Sequence, residues 1–151
     1  MMNRILIVVI SLFLILNPAI GFSQKKTGKT RVSLKLVIKN IVANAGPVIV
    51  GVYGTDNKFP NPDDQLKVYK FKVKRSELVA TIRNLKFGIY AIAIYQDVNR
   101  NGKIDKDFIG IPTEPYAFSN NYHPTIKAPD FNDCKFEYNA SNNTITIAMI
   151  H

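Results

Sequence analysis

The sequence is poor in cysteine: Cys134 is the only one in 151 residues. A single cysteine cannot form an intramolecular disulfide, so no covalent cross-link within the chain contributes to stability. Stability must therefore come from packing of the core, with or without help from a bound ion.

Histidine is also scarce, with only His123 and the C-terminal His151 present. Hydrolytic catalysis needs a nucleophile beside a base, paired carboxylates in a dry cleft, or a metal with an open position. Ser119 or Cys134 with His123 is the one combination that keeps a hydrolase open as an alternative. Isolated residues of these types are usually structural, so we expect a protein that is not an enzyme.

The sequence has no apolar run long enough for a comfortable membrane span, which takes about 20 residues. Its longest run, Ile5 to Leu16, follows a basic start and precedes small residues. This pattern is typical of a secretory signal peptide, which we place at residues 1–24. The alternative is an uncleaved N-terminal anchor. The prediction is a secreted or periplasmic protein with one domain, residues 25–151, that does not span the membrane after cleavage.

Acidic residues are few, 11 against 20 Lys and Arg. The excess of positive charge lies in residues 25–86, which contain 14 basic and 4 acidic side chains. Such a surface can meet anionic glycans or lipid headgroups, although a solvated lysine-rich face is the simpler interpretation. For an exported protein we expect no nucleic-acid partner.

Amphipathic helices of useful length are absent from the hydrophobic pattern, and short alternating segments take their place. These segments predict strands near residues 32–40, 47–53, 66–74, 77–83, 89–96, 134–138 and 144–149. About seven short strands with close turn signals indicate an all-β fold, an antiparallel β-sandwich that is immunoglobulin-like or transthyretin-like. Residues 108–130, with four prolines, predict a long ordered loop. A small closed barrel is the competing architecture.

Carboxylates and amides follow the strand predicted at residues 89–96 at alternate positions, in the pattern D-x-N-x-N-G-x-x-D. Calcium takes six to eight oxygen ligands from such groups and from backbone carbonyls. The predicted calcium ligands are Asp97, Asn99, Asn101, the carbonyl of Lys103, Asp105 and Asp107. The loop departs from the EF-hand pattern, because Phe108 stands where a bidentate glutamate belongs and a strand precedes it. The alternative is a polar turn whose side chains cap backbone donors.

Aromatic residues are concentrated just after this loop. The predicted ligand-binding residues are Glu114, Tyr116, Phe118, Asn120, Tyr122 and His123. Aromatic faces near carboxylates and amides suit sugars, so a glycan or an envelope protein is the expected partner of a binding module. In the alternative, the same rings pack over an open end of the sandwich and the protein is a structural, envelope-associated domain.

The run GIYAIAIYQDVNRNGKIDKDFIGIPTEPYAFSNN, residues 88–121, closely resembles the signature of domain of unknown function 2141, a family of small secreted bacterial proteins. The residues that match are Gly88, Tyr90, Asp97, Asn99, Asn101, Gly102, Lys103, Asp105, Gly110, Pro112, Glu114, Phe118, Ser119 and Asn120. The family usually has a histidine where this chain has Gln96. The resemblance implies an exported β-sandwich and supplies no activity.

Overall fold

The computed structural model describes residues 32–125 and 127–151. The predicted signal peptide, residues 1–24, and the start of the predicted domain lie outside the described residues. Within the described part, no helix is both long enough and apolar enough to cross a membrane.

In the described residues, eight strands form two sheets, which confirms the predicted all-β fold. They are β1 (Leu34–Lys39), β2 (Val48–Tyr53), β3 (Lys67–Phe71), β4 (Leu78–Ile82), β5 (Gly88–Gln96), β6 (Tyr116–Phe118), β7 (Phe136–Tyr138) and β8 (Thr144–Ala148). One sheet has the order β4-β1-β8, and the other has the order β3-β2-β5-β6, with β7 paired to the start of β5. A four-residue helix, α1 (Phe131–Cys134), precedes β7.

The main core lies between the two sheets. Leu34, Leu36 and Ile38 of β1 alternate with exposed or half-buried residues and face Val50 and Ile92 of the other sheet within one cluster. This face-to-face burial is what the period-two pattern of β1 predicts, since alternate side chains of a strand point to the same side. The arrangement is a sandwich of two layers.

The second face of the larger sheet is covered as well, by loops. All six residues of β2 are buried, and a smaller apolar cluster on the outer side of β5 contains Ala91, Phe118 and Cys134. Half-buried rings from other segments, including Phe59 and Phe131, pack against this cluster. A strand buried on both faces loses its alternation, which explains the continuous apolar runs of β2 and β5.

Two features of the predicted fold are corrected. The pairing is not wholly antiparallel, because β1 and β8 run parallel, with Leu36 opposite Ile145. The predicted long loop at residues 108–130 contains β6, whose residues Tyr116 and Phe118 pair with Tyr95 and Ala93 of β5.

Cys134, a member of the cluster on the outer side of β5, is fully buried, and burial raises the pKa of its thiol to about 12. Because the thiolate is the reactive form, we expect native protein at pH 8 to react with a disulfide reagent roughly a thousandfold more slowly than unfolded protein. A timed thiol titration with and without urea measures the ratio. Equal rates in the two states would contradict the burial of Cys134.

Candidate cation site and adjoining cleft

The acidic loop, residues 97–107, begins where β5 ends. Two backbone hydrogen bonds hold this junction: Asp97 N donates to the carbonyl of Pro47 (2.9 Å), and the preceding Gln96 N donates to the carbonyl of Pro115 (2.8 Å). The loop therefore starts from a position set by two other segments of the chain.

Gln96 is buried and holds the turn formed by residues 42–46. Its Nε2 donates to the carbonyls of Val42 (2.8 Å) and Gly46 (3.1 Å), and its Oε1 accepts from Val42 N (2.9 Å). The Gln96 side chain is thus engaged in three hydrogen bonds to backbone.

Asp97 is fully buried, at 0% exposure, and its two carboxylate oxygens differ. Oδ2 accepts from Gly102 N (3.1 Å), which closes the loop on itself. Oδ1 has no hydrogen-bond partner, and within residues 32–125 and 127–151 it is the one buried side-chain nitrogen or oxygen of which this is true. A buried, unpartnered carboxylate oxygen is costly unless a further group satisfies it.

The alternate side chains after Asp97 fold the loop tightly. Asn99 Oδ1 accepts from Asn101 N (3.1 Å), and Asn101 Oδ1 accepts from Lys103 N (3.0 Å). The amides of both asparagines donate to the Asp105 carboxylate, those from Asn101 at 2.9 and 3.0 Å. These N–H groups supply the positive partner that the carboxylate needs, which is the part a cation would play. Four of the predicted ligand side chains are therefore gathered in one loop.

Glu114 closes this loop from outside. Its side chain is 8% exposed, Oε1 accepts from Val98 N (2.8 Å), and Oε2 accepts from Asp105 N (3.1 Å). The predicted ligand-binding carboxylate thus joins the two ends of the acidic loop. Nothing in the spacing of the sequence pointed to this role, since Glu114 lies outside the calcium pattern.

Asp107 belongs to a different turn. Its Oδ1 accepts from the amides of Ile109 (3.0 Å) and Ile111 (2.8 Å), and no hydrogen bond in the described part of the chain ties its side chain to the other predicted calcium ligands. Lys103 is exposed, with its amide bound to Asn101.

The Tyr95 side chain contacts the acidic loop, and its pKa is affected by the carboxylates there. Its hydroxyl donates to the carbonyl of Gly102 (3.3 Å). Its pKa is raised, mainly by burial and further by the carboxylates of Asp97 and Glu114.

Among residues 32–125 and 127–151 no three His, Cys, Asp or Glu side chains group as a metal site. A cation here would need amide and carbonyl oxygens, which calcium accepts readily.

Beside the acidic loop, a cleft of about 370 Å³ opens on the outer face of the larger sheet. This volume is in the range of small-molecule sites, and aromatic residues and prolines make up eight of the nineteen lining residues. The rings are Tyr53, Tyr95, Tyr116 and Phe118, and the prolines are Pro60, Pro62, Pro112 and Pro124.

Two of the six predicted ligand-binding residues, Tyr116 and Phe118, line this cleft. Phe118 is buried and its ring packs edge-on against Phe59 and Tyr116, while Tyr122 is half-buried against the same cluster. His123 is exposed.

The run from Ser119 to Asn121 connects elements rather than lining the cleft. The Ser119 hydroxyl donates to the carbonyl of Cys134 (2.5 Å) and accepts from Ile92 N (2.9 Å). Asn120 donates to the carbonyl of Lys135 (2.9 Å). No hydrogen bond in the described residues joins Ser119 or Cys134 to His123.

The sequence reasoning missed Tyr53 and Tyr95 as cleft residues. Both lie on the outer face of the larger sheet, opposite the core-facing Val52 and Ile94. Aromatic side chains at outward positions of otherwise apolar strands were the available signal.

A family model described as "Uncharacterized protein conserved in bacteria (DUF2141)" matches residues 36–146. The match extends from β1 into β8 and includes the acidic loop and the residues that line the cleft. It confirms the resemblance seen in residues 88–121. No curated protein and no solved structure matches the chain.

Proposed function

The chain belongs to the DUF2141 family of bacterial proteins, and we propose that it is an exported, non-catalytic binding module whose acidic loop binds calcium. The observation that carries the proposal is the buried Oδ1 of Asp97, which has no partner among the described residues. An ion coordinated by this oxygen would satisfy it, and the oxygens of Asn99, Asn101 and Asp105 belong to the same loop.

The expected affinity is low. Asp97 offers an unpartnered oxygen, whereas the Asp105 oxygens accept from asparagine amides and the Glu114 oxygens accept from backbone amides, so an ion would have to displace these bonds to gain further carboxylate ligands. Arg100 and Lys103 add positive charge to the same segment. A dissociation constant on the order of 10⁻⁴ to 10⁻³ M is typical of extracellular calcium modules.

In this proposal calcium fixes one wall of the cleft, because Ile104 and Lys106 of the acidic loop line it. The cleft then takes a glycan or a segment of an envelope protein against its tyrosine rings. Sugars and prolines both stack on such faces.

A second candidate, a structural envelope-associated domain, is favoured by one specific observation. Phe118, predicted to bind ligand, is buried and packs in a chain of rings with Phe59 and Phe131. Substituting Tyr116, the half-buried ring of the cleft, discriminates between the two candidates. Loss of glycan or envelope-protein binding with unchanged stability supports the binding module, and loss of stability alone supports the structural domain.

Thermal unfolding of residues 25–151 in chelator and in about 5 mM calcium tests the metal site. A ligand that binds only the folded state at the affinity above stabilises it by about 1–2 kcal/mol, a rise in Tm of about 3–10 °C. We expect Asp97→Asn, which keeps an oxygen for Gly102 N but removes the charge, to lose this rise.

Asp63→Ala is the matched control, because Asp63 is an exposed carboxylate in the loop between β2 and β3. It should keep the full calcium response. Terbium luminescence is a second readout: the chain has no tryptophan, and Tyr95 is hydrogen-bonded to the loop, so Tyr95→Phe should remove most of the sensitised emission. No shift at 5 mM, or an equal shift in Asp97→Asn, would contradict the proposal.

A further inference from the structure

The two most exposed large apolar side chains of the described residues, Phe108 and Ile109, are neighbours in the loop that leads to β6, and a third exposed one, Ile111, lies two residues further on. Phe108 is 98% exposed, Ile109 is 64% exposed and Ile111 is 51% exposed. With Gly110 these residues form what we call the apolar tip, residues 108–111.

The apolar tip is held in a defined conformation. Asp107 Oδ1 accepts from the amides of Ile109 and Ile111, and Asp107 N donates to the carbonyl of Ile111 (2.9 Å). Gly110 has φ +88°, a conformation that side-chain-bearing residues rarely adopt, and its N–H donates to the carbonyl of Asp107 (3.1 Å). Phe108 therefore projects into solvent from a hydrogen-bonded turn.

The exposed charged side chains in the segment that precedes the apolar tip are positive, while Asp105 and Asp107 are half-buried. Arg100, Lys103 and Lys106 are exposed in the adjoining acidic loop. The acids of the same segment are hydrogen-bonded within it: Asp97 is buried, Asp105 accepts from two asparagine amides, and Asp107 accepts from the amides of the tip.

An apolar turn that follows a segment with three exposed cations fits a lipid surface better than a protein surface. A stable protein interface buries about 800 Å² per partner, far more than three side chains on a protruding turn provide. Interfacial binding to lipid requires only a few apolar side chains together with attraction to anionic headgroups.

We propose that the apolar tip inserts into an anionic lipid surface, with Phe108 and Ile109 entering the headgroup layer and Arg100, Lys103 and Lys106 contacting phosphates. The inference goes beyond the calcium proposal and does not depend on it, because the bonds that shape the tip come from Asp107 and the backbone.

Co-sedimentation of residues 25–151 with vesicles tests the inference, and this chain contains every strand and both apolar clusters. We expect binding to vesicles of equal phosphatidylcholine and phosphatidylglycerol, and little binding to phosphatidylcholine alone. Phe108→Ser combined with Ile109→Ser should lower the partition coefficient about tenfold or more, since each buried apolar side chain contributes to insertion.

Val68→Ser is the matched control, because Val68 is a comparably exposed apolar residue (55%) on the distant edge strand β3. It should bind like the parent protein. All samples are also measured in chelator. We expect the parent protein and Asp97→Asn to bind anionic vesicles there too, which separates this inference from the calcium site.

Three results would overturn the inference. One is no binding to anionic vesicles, and another is equal binding by the double variant and the parent. The third is self-association of the parent, abolished by the double variant, without binding to vesicles, which would assign the apolar tip to a second copy of the chain.

Discussion

Gly46→Ala is expected to lower the free energy of unfolding by about 3 kcal/mol or more, because overpacking against backbone has no low-cost relief. A Cβ at this position would lie 1.5 Å from the carbonyl oxygen of Asp97 and 3.0 Å from the Cα of Val98. Neither segment can retreat freely, since Gln96 binds the Gly46 carbonyl and Asp97 N binds Pro47. Urea unfolding monitored by tyrosine fluorescence measures the loss.

Two other glycines provide controls. At Gly54 a Cβ would meet Asn57 Oδ1 at an ordinary 3.5 Å, so Gly54→Ala should change stability by less than about 1 kcal/mol. At Gly102 the space is open but φ is +85°, so Gly102→Ala should cost about 1–2 kcal/mol through backbone strain alone. If Gly46→Ala were as stable as Gly54→Ala, the turn at residues 42–46 would not be seated against the start of the acidic loop.

Local sequence patterns predicted the strands that have one solvent-exposed face. In β3, Tyr69 and Phe71 pack against the core while Lys70 is exposed, as is Lys72 directly after the strand, which the alternation indicated. Such a strand carries its own orientation, because its polar and apolar residues alternate with the pleat.

The parts of the fold that depend on distant partners were not predicted. Strand β6 has three residues among prolines and exists because Tyr116 and Phe118 find Tyr95 and Ala93 on β5. The parallel pairing of β1 with β8 joins the two ends of the domain, and no local pattern encodes it. Both pairings are properties of the topology.

The candidate site likewise has residues that the local sequence predicted and residues whose roles depend on distant segments. Asp97, Asn99, Asn101 and Asp105 were identified by spacing because one short loop contains them all. The roles of Gln96 and Glu114 arise from contacts with other segments, at residues 42–46 and at both ends of the loop. Asp107 matched the pattern as a neighbour, yet the backbone uses its carboxylate to form the apolar tip.

Glu114→Ala is expected to lower the free energy of unfolding by about 3–4 kcal/mol. The carboxylate accepts from the amides of Val98 and Asp105, and each charge-assisted bond is worth about 1.5–3 kcal/mol when its partner would otherwise stay unpaired. Glu114→Gln keeps one acceptor oxygen but turns an N–H group toward the second amide, so it should lose about half as much. Urea unfolding of the two variants gives both values.

The control is Glu137→Ala, which removes an exposed carboxylate from β7 and should leave stability within about 0.5 kcal/mol of the parent protein. Calcium-dependent unfolding of Glu114→Gln then separates two roles for the side chain. If Glu114 braces the loop, the variant is destabilised equally in calcium and in chelator. If Glu114→Gln retains parental stability in chelator but loses the calcium response, the carboxylate is instead a ligand of the ion. Its hydrogen bonds to the amides of Val98 and Asp105 are then broken when calcium binds.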